Sequence, residues 1–214
     1  MTKVPYTSRR LLLSLLGGGG ILSSLGPALA APPDAVAQVQ TMSAGLTKLR
    51  KDSASKNFAQ RFAEFAPVID QVFDVTQFLH GSVGLRWGEL STADQAALLK
   101  IFRAYVIASY VANFNQDTGE TIKVTPGTRI SGADQIVATQ LVASDGTTTG
   151  ISYQLRDQGA GFKIIDVLID GTISQVVVQR SDFRSQLSGQ SNAAQLIAML
   201  STKVKTLSGG TVTP

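Results

Sequence analysis

One stretch of this 214-residue chain constrains the fold more than any other. Ser91, with Asp94 three residues later, forms a helix-capping pattern that opens a long helix reaching to about Gln116. Its apolar residues circle nearly the whole helix axis; they are Leu98, Leu99, Ile101, Phe102, Tyr105, Val106, Ile107, Tyr110, Val111 and Phe114. A helix that is apolar all round must be covered on most of its sides, so this segment is predicted to be the central helix of the fold.

Helical spacing of apolar residues dominates before this segment, and alternating spacing follows it. Pro67 is predicted to divide two of the early helices. The predicted helices, besides the central one, are 36–49, 58–66, 69–81, 173–187 and 192–204. Within 173–187, Val176-Val177-Val178 alone would favour a strand. The predicted strands are 121–130, 135–143, 150–156 and 162–169. This order predicts an α+β fold in which helices pack on a four-stranded, mainly antiparallel sheet, with an apolar pocket between sheet and helices.

The N-terminal segment has the layout of a cleaved secretory signal. Basic residues, the last of them Arg9 and Arg10, precede a short apolar core, and Ala28-Leu29-Ala30 places small residues at the cleavage-site positions. An anchoring first helix is the alternative, although four glycines interrupt the apolar stretch and it falls short of the ~20 residues that cross a bilayer. The two arginines also resemble a twin-arginine signal, so either export route stays open.

Charge and cysteine content narrow the function classes. Three of the 19 basic residues lie in the signal, which leaves 16 basic against 15 acidic residues, and so small a net charge does not favour nucleic-acid binding. The chain has no cysteine, which excludes disulfides, thiolate chemistry and cysteine-held metals. We predict a signal peptide at 1–30, one periplasmic domain at 31–206 and a flexible tail at 207–214.

Asp166 is the carboxylate that best supports an enzyme hypothesis. Alternation within its strand places it on one face with Phe162, Ile164 and Leu168, an apolar setting that raises a carboxyl pKa. With phenol donors such as Tyr105, Tyr110 or Tyr153, an aspartate base of this kind would resemble ketosteroid isomerase, a known case of such an arrangement. The simpler interpretation is a buried aspartate that is hydrogen-bonded to neighbouring backbone or to an arginine.

The remaining polar candidates favour structural roles. His80, the chain's one histidine, precedes a glycine at a helix end, where capping or solvation explains it, and no nucleophile-elbow motif accompanies it. Asp70 and Asp74 lie one helical turn apart and could share a cation, although an exposed acidic face explains them as well. No phosphate-binding, dinucleotide-binding or calcium-loop motif is present, so no cofactor or metal is predicted.

A set of short motifs resembles the MlaC family of toluene-tolerance and phospholipid-transport periplasmic proteins. The main one runs from Gly161 to Ser174, GFKIIDVLIDGTIS, which resembles the family's strand-and-turn signature. The family usually has Trp where this chain has Phe162, and Thr172 stands between the glycine and the Ile-Ser pair. Further motifs agree in order and spacing: Phe73-Asp74-Val75, Trp87 before Leu90-Ser91, Phe102 with Tyr105 and Tyr110, Tyr153-Gln154-Leu155 and Arg180-Ser181-Asp182-Phe183.

The resemblance covers about 36–204 and implies a lipid carrier without enzymatic activity. Family members shuttle phospholipid between an inner-membrane lipid-transfer ATPase complex and an outer-membrane lipoprotein complex. The hopanoid-associated HpnM branch belongs to the same family and would change the cargo to a polycyclic lipid. The residues expected to contact lipid are Phe73, Phe78, Phe102, Val106, Tyr110, Tyr153, Ile164 and Leu168.

Three function classes therefore stay open at this point. A carrier needs an apolar pocket, since each buried methylene contributes about 0.8 kcal/mol, and it needs no reactive group. An isomerase-like enzyme needs Asp166 and a small pocket. An envelope adaptor needs a filled core and a stable protein partner.

We expect signal cleavage after Ala30, so that the exported chain begins at Ala31. Intact-mass measurement on protein recovered from the periplasm checks this expectation. An exported protein that retains residues 1–30 would contradict the assignment of a cleaved signal.

Overall fold

The structure is a computed structural model that describes residues 34–187 and 193–213. The chain separates into two units, Met1–Ala31 and Pro32–Pro214, and every described residue belongs to the second. The predicted signal peptide lies outside the described residues. No helix in the described part of the chain is long and apolar enough to cross a membrane.

Helices and strands follow one another in the order that the sequence predicts. The α-helices of the described ranges are α1 Ala35–Lys51, α2 Phe58–Val72, α3 Val75–Val83, α4 Thr92–Asn113, α5 Gln175–Gln186 and α6 Ala194–Leu207. Short 3₁₀ segments occupy Asp52–Ala54 and Gly84–Glu89. The strands are β1 Thr121–Val124, β2 Arg129–Ser131, β3 Asp134–Val142, β4 Thr148–Asp157, β5 Phe162–Ile169 and β6 Ile173–Ser174. The α+β class is therefore confirmed.

The strands form one antiparallel sheet in the order β1-β3-β4-β5-β6, and β2 also pairs with β3. The sheet has six strands in the described residues, whereas four were predicted. One difference arises at Pro126-Gly127, where Gly127 adopts a φ of +83° and the chain turns, so that the predicted strand 121–130 becomes β1 and β2. The other is the short β6, which pairs with the end of β5 before α5 begins.

Helix α4 is the central helix, as predicted, and it is covered from several directions. Packing against α2 brings the Tyr110 ring to 5.8 Å from that of Phe65, between centroids. On the α3 side, Phe102 meets Phe78 edge-to-face at 5.5 Å. Ser91 caps the first turn by accepting from the Asp94 amide at 3.1 Å, while its hydroxyl donates to the Asp94 carboxylate at 2.8 Å. The remaining side of α4 faces the sheet.

The prediction that Pro67 divides two helices is wrong. Pro67 lies exposed inside α2, which continues to Val72 despite the hydrogen bond that a proline removes. The break comes instead at Phe73, which is extended, and at Asp74, whose amide donates to the Ile164 carbonyl of β5 at 2.9 Å. Asp74 then caps α3 through the Gln77 amide at 2.9 Å. Pairing with the sheet and an aspartate cap therefore set the boundary.

Helices α1 and α2 approach closely at Gly45. A Cβ placed on Gly45 would lie 2.9 Å from Val68 Cγ1 and 3.2 Å from Phe65 Cε2. Val68 is β-branched and has little rotamer freedom in a helix, so it cannot easily move aside. Glycine lowers the stability of a helix interior, and here the close packing of α1 on α2 compensates for that cost.

We expect Gly45→Ala to lower the free energy of unfolding by about 1 kcal/mol, because the added methyl overpacks the α1–α2 contact. Urea unfolding measures it, with Ala44→Gly at the neighbouring exposed position of α1 as the control for helix propensity alone. If Gly45→Ala stabilised the protein instead, the close approach would be refuted.

Candidate functional site

A cavity of about 450 Å³ separates α4 from one face of the sheet. This volume lies within the ~300–1,000 Å³ typical of small-molecule sites. Its lining comes from α3, α4, the loop between α4 and β1, the strands β3 to β5 and α5: Phe78, Tyr105, Val106, Ser109, Tyr110, Asn113, Phe114, Glu120, Leu141, Ile151, Tyr153, Val167, Ile169, Gln175 and Gln179. The apolar pocket predicted between sheet and helices is therefore present.

On the sheet side, strand register places alternate residues on the cavity wall. Ile151 of β4 lies opposite Ile169 of β5. Two residues further along β4, Tyr153 lies opposite Val167. Side chains alternate between faces along a strand, and directly opposite residues share a face, so these four side chains point the same way. Leu141 of β3 extends the same wall.

On the helix side, one stripe of α4 faces the cavity. Its members recur at three- and four-residue spacing, which puts them on one side of a helix; they are Tyr105, Val106, Ser109, Tyr110 and Asn113. Val106 is buried in the middle of the stripe with 4% of its surface exposed. The stripe becomes more polar towards the exposed Asn113, so the wall is apolar inside and polar at its end.

Two polar side chains of the cavity lining, Glu120 and Gln179, are held by other residues of the protein. The Arg50 guanidinium, 3% exposed, forms an ion pair with the Glu120 carboxylate at 2.8 Å and also donates to the Glu120 carbonyl. Gln179 accepts a hydrogen bond from the Ser82 hydroxyl at 2.9 Å. These contacts fix Glu120 and Gln179 in place.

Two phenols lie within the cavity without a hydrogen-bond partner in the described part of the chain. Tyr153 is 2% exposed, and Tyr110 is partly buried among the rings of Phe65, Phe73 and Phe114. Burial raises the pKa of both tyrosines well above the usual value for a phenol. The negative charge of an ionised Tyr153 would raise the pKa of Tyr110 further. Both hydroxyls therefore stay protonated and able to donate.

Of the residues expected to contact lipid, four line this cavity: Phe78, Val106, Tyr110 and Tyr153. The other four do not border it: Phe73, Phe102, Ile164 and Leu168. Phe102 is fully buried, with its ring 6.2 Å from that of Phe183. Phe73 stacks on Phe78 at 5.9 Å, and Leu168 lies opposite Ser152 on the other face of the sheet. Whether any of these residues touches lipid stays a prediction.

A β-bulge explains why strand alternation misplaced part of β5. Gln154 pairs with Asp166, but the next β4 residue, Leu155, pairs with Ile164, so Ile165 is an extra residue. The bulge puts Ile164 on the face of Leu155, whereas Asp166 lies on the opposite one. The prediction that Asp166 and Ile164 share a face is therefore wrong.

Asp166 anchors the start of α5 through its carboxylate. One carboxylate oxygen accepts from the amides of Val167 at 2.7 Å and Val176 at 3.0 Å, and the other accepts from the Ser174 hydroxyl. These bonds fasten the start of α5 to β5. Asp166 also lies on the sheet face opposite Tyr153, so the two cannot act on one substrate in the cavity. This geometry does not support the isomerase-like site.

The other polar candidates also have structural surroundings. Asp70 forms a two-bond ion pair with Arg103, at 2.6 Å for each bond, and the guanidinium lowers the pKa of this carboxyl. Asp74 caps α3 by accepting from the Gln77 amide, which gives it a structural role as well. His80 is exposed at the end of α3, with its ring 5.8 Å from that of Trp87. The described ranges contain no cluster of residues that could hold a metal ion.

The cavity residues that sequence reasoning missed come from the sheet, from α4 and α5 and from the loop after α4. Ile151, Val167 and Ile169 share a sheet face with Tyr153, and alternation along β4 from Tyr153 is the signal that could have identified Ile151. Phe114 lies on the predicted stripe, one turn beyond Tyr110. Glu120, Gln175 and Gln179 come to the cavity only through tertiary folding. Their local sequence carries no pattern that predicts a position in the cavity wall.

These features define an α+β protein with an internal, largely apolar ligand cavity, and comparison with known proteins assigns its family. Residues 39–202 match the family described as MlaC protein, so the chain belongs to the MlaC family. Comparison with curated proteins finds no match.

A solved structure shares the fold. The chain is similar to the phospholipid-binding protein of Ralstonia solanacearum, which was solved in complex with a phospholipid. The TM-score is 0.70 and the sequence identity 18%, with 82% of this chain and 99% of that chain covered. At this identity the likeness establishes a common fold.

We expect Asp166→Ala to lower the free energy of unfolding by about 2 kcal/mol, because it removes charge-assisted hydrogen bonds that hold α5. Asp166→Asn should cost about 1 kcal/mol, since its carboxamide retains part of the bonding. Urea unfolding measures both, with Asp182→Asn at an exposed position of α5 as the control. Ligand retention should be unchanged in all three variants; an activity lost in Asp166→Asn would contradict the anchor role.

Proposed function

We propose that this protein is a periplasmic carrier that binds phospholipid in the cavity between α4 and the sheet. The observation that carries the proposal is the cavity itself, whose walls meet a ligand mainly with apolar side chains such as Val106, Ile151 and Val167. Membership of the MlaC family and a fold shared with a phospholipid-bound protein support it.

The free energy of burying acyl chains is sufficient for a lipid carrier to bind its cargo. Each methylene moved from water into the cavity contributes about 0.8 kcal/mol, so acyl chains supply binding energy without any reactive group. The more polar end of the lining, around Asn113 and Glu120, suits a lipid whose headgroup stays near water. A carrier must also release its cargo, and apolar contacts hold a ligand without covalent or metal bonds.

The cellular context of the proposal comes from the sequence and the family. The predicted signal at 1–30 would direct the protein to the periplasm, through either export route. There it would shuttle phospholipid between an inner-membrane lipid-transfer ATPase complex and an outer-membrane lipoprotein complex, as parts of an ABC-type transport system.

A hopanoid is the alternative cargo within the same family. Its polycyclic body would use the same apolar walls, so the cavity volume alone does not distinguish the two lipids. The buried phenols of Tyr110 and Tyr153 favour a ligand that brings oxygen atoms into the cavity. This observation favours phospholipid.

We expect protein purified from the periplasm without detergent to release phospholipid on organic extraction, as detected by mass spectrometry. Val106→Trp fills the cavity with an indole and should reduce the extracted lipid severalfold, while thermal unfolding of the lipid-free protein changes little. Tryptophan at an ordinary core site would instead cost about 1–3 kcal/mol through overpacking.

Val177→Trp is the matched control, because it adds the same side chain at a position on α5 that is 59% exposed. It should leave lipid loading and stability unchanged. If wild-type protein carried no lipid and Val106→Trp unfolded the chain, the carrier proposal would be overturned, and the α4 stripe would be ordinary core.

A further inference from the structure

The cavity holds two hydrogen-bond donors that the protein does not use. Tyr153 is 2% exposed and lines the cavity, yet its hydroxyl bonds to no group in the described ranges. Tyr110, on the facing stripe of α4, lines the same cavity and likewise has no partner there. Neither phenol oxygen is among the fully buried unpaired atoms of the described residues, so both hydroxyls border the open space of the cavity and are free to donate to a molecule that occupies it.

Neighbouring side chains do not supply the missing acceptors. The Ser109 hydroxyl donates to the Tyr105 carbonyl at 2.8 Å, one turn back on α4. Gln179 accepts from Ser82, and Glu120 is paired with Arg50. Asn113 and Gln175 also line the cavity, but neither of them is hydrogen-bonded to either phenol in the described residues. A ligand in the cavity can therefore supply the acceptor.

We infer that Tyr110 and Tyr153 donate hydrogen bonds to the ester carbonyl oxygens of the bound lipid and thereby select ester-linked lipids. This inference rests on the proposed function and specifies the ligand chemistry of the same cavity. An ester carbonyl accepts hydrogen bonds and has no donor of its own, so it complements a phenol that donates. It also lies where an acyl chain meets the polar headgroup, beside the methylenes that the apolar walls cover.

The burial of Tyr153 determines where the ester of the bound lipid lies. Because this residue is almost fully buried, the ester that it meets must lie inside the cavity and below the polar end of the lining. The chains then occupy the space between Val106 of α4 and Val167 of β5, and the headgroup lies towards Asn113. Lipids of equal chain length but with ether linkages have no carbonyl oxygen projecting from the chain, so they lose the hydrogen bonds to that oxygen while keeping their apolar contacts.

The test compares two lipids that differ only in the linkage: a diacyl phosphatidylglycerol and its dialkyl ether analogue with the same chains. Delipidated wild-type protein should bind the diacyl lipid about tenfold more tightly, as measured by competition against a fluorescent lipid. The double variant Tyr110→Phe, Tyr153→Phe should bind both lipids equally, with its affinity for the ether lipid unchanged. Phenylalanine keeps the rings, so packing is preserved.

Tyr105→Phe is the matched control. Tyr105 also lines the cavity, but its ring lies against the Lys203 ammonium of α6, 5.5 Å from the ring centroid. This variant should keep the preference for the diacyl lipid. If Tyr105→Phe lost the preference for the diacyl lipid while the double variant kept it, Tyr105 would be the selecting residue. That result would overturn the inference.

Failure of the inference can be distinguished from failure of the carrier proposal. Equal affinity of the wild type for both lipids overturns the ester selectivity and leaves a lipid carrier. No binding of either lipid overturns the carrier itself. If the double variant does not fold, infrared spectra of wild-type protein with ¹³C-carbonyl lipid decide the question: a carbonyl band at lower frequency than in an apolar solvent supports the hydrogen bonds, and an unshifted band refutes them.

Discussion

Helix α4 is apolar around nearly its whole circumference, and the rest of the structure provides most of its cover. Helix α2 covers it through Phe65, and α3 covers it through Phe78. From α5, Phe183 packs against Phe102, and α6 packs along another side. The side that remains faces the sheet, and there the cover is incomplete because a cavity intervenes. A ligand that fills this space would complete the burial of the helix.

The two faces of the sheet have different roles. Tyr153 and Val167 face the cavity, whereas their neighbours Gln154 and Asp166 face the other way. The Asp166 carboxylate accepts hydrogen bonds that hold the start of α5. A carboxylate that could have served as a catalytic base therefore has a structural role. The phenols show the reverse: their hydroxyls have no structural partner in the described residues, and they are the groups left free to meet a ligand.

Much of this arrangement could be predicted from sequence because it follows from local periodicity. The apolar circumference of α4 identified the central helix, and its stripe contained Val106 and Tyr110, which border the cavity. Prediction failed where tertiary contacts override local preference. The bulge at Ile165 reverses the faces of β5, and pairing with Ile164 moves the end of α2 beyond Pro67. Neither event leaves a signal in the local pattern.

The central claim is that the space between α4 and the sheet is a lipid site. A crystal structure of protein purified from the periplasm without detergent tests it most directly. The account predicts continuous ligand density along Val106 and Val167, with a polar group within hydrogen-bond distance of Tyr153. Density confined to the opposite face of the sheet, or a cavity closed by the protein's own side chains with no ligand, would contradict it.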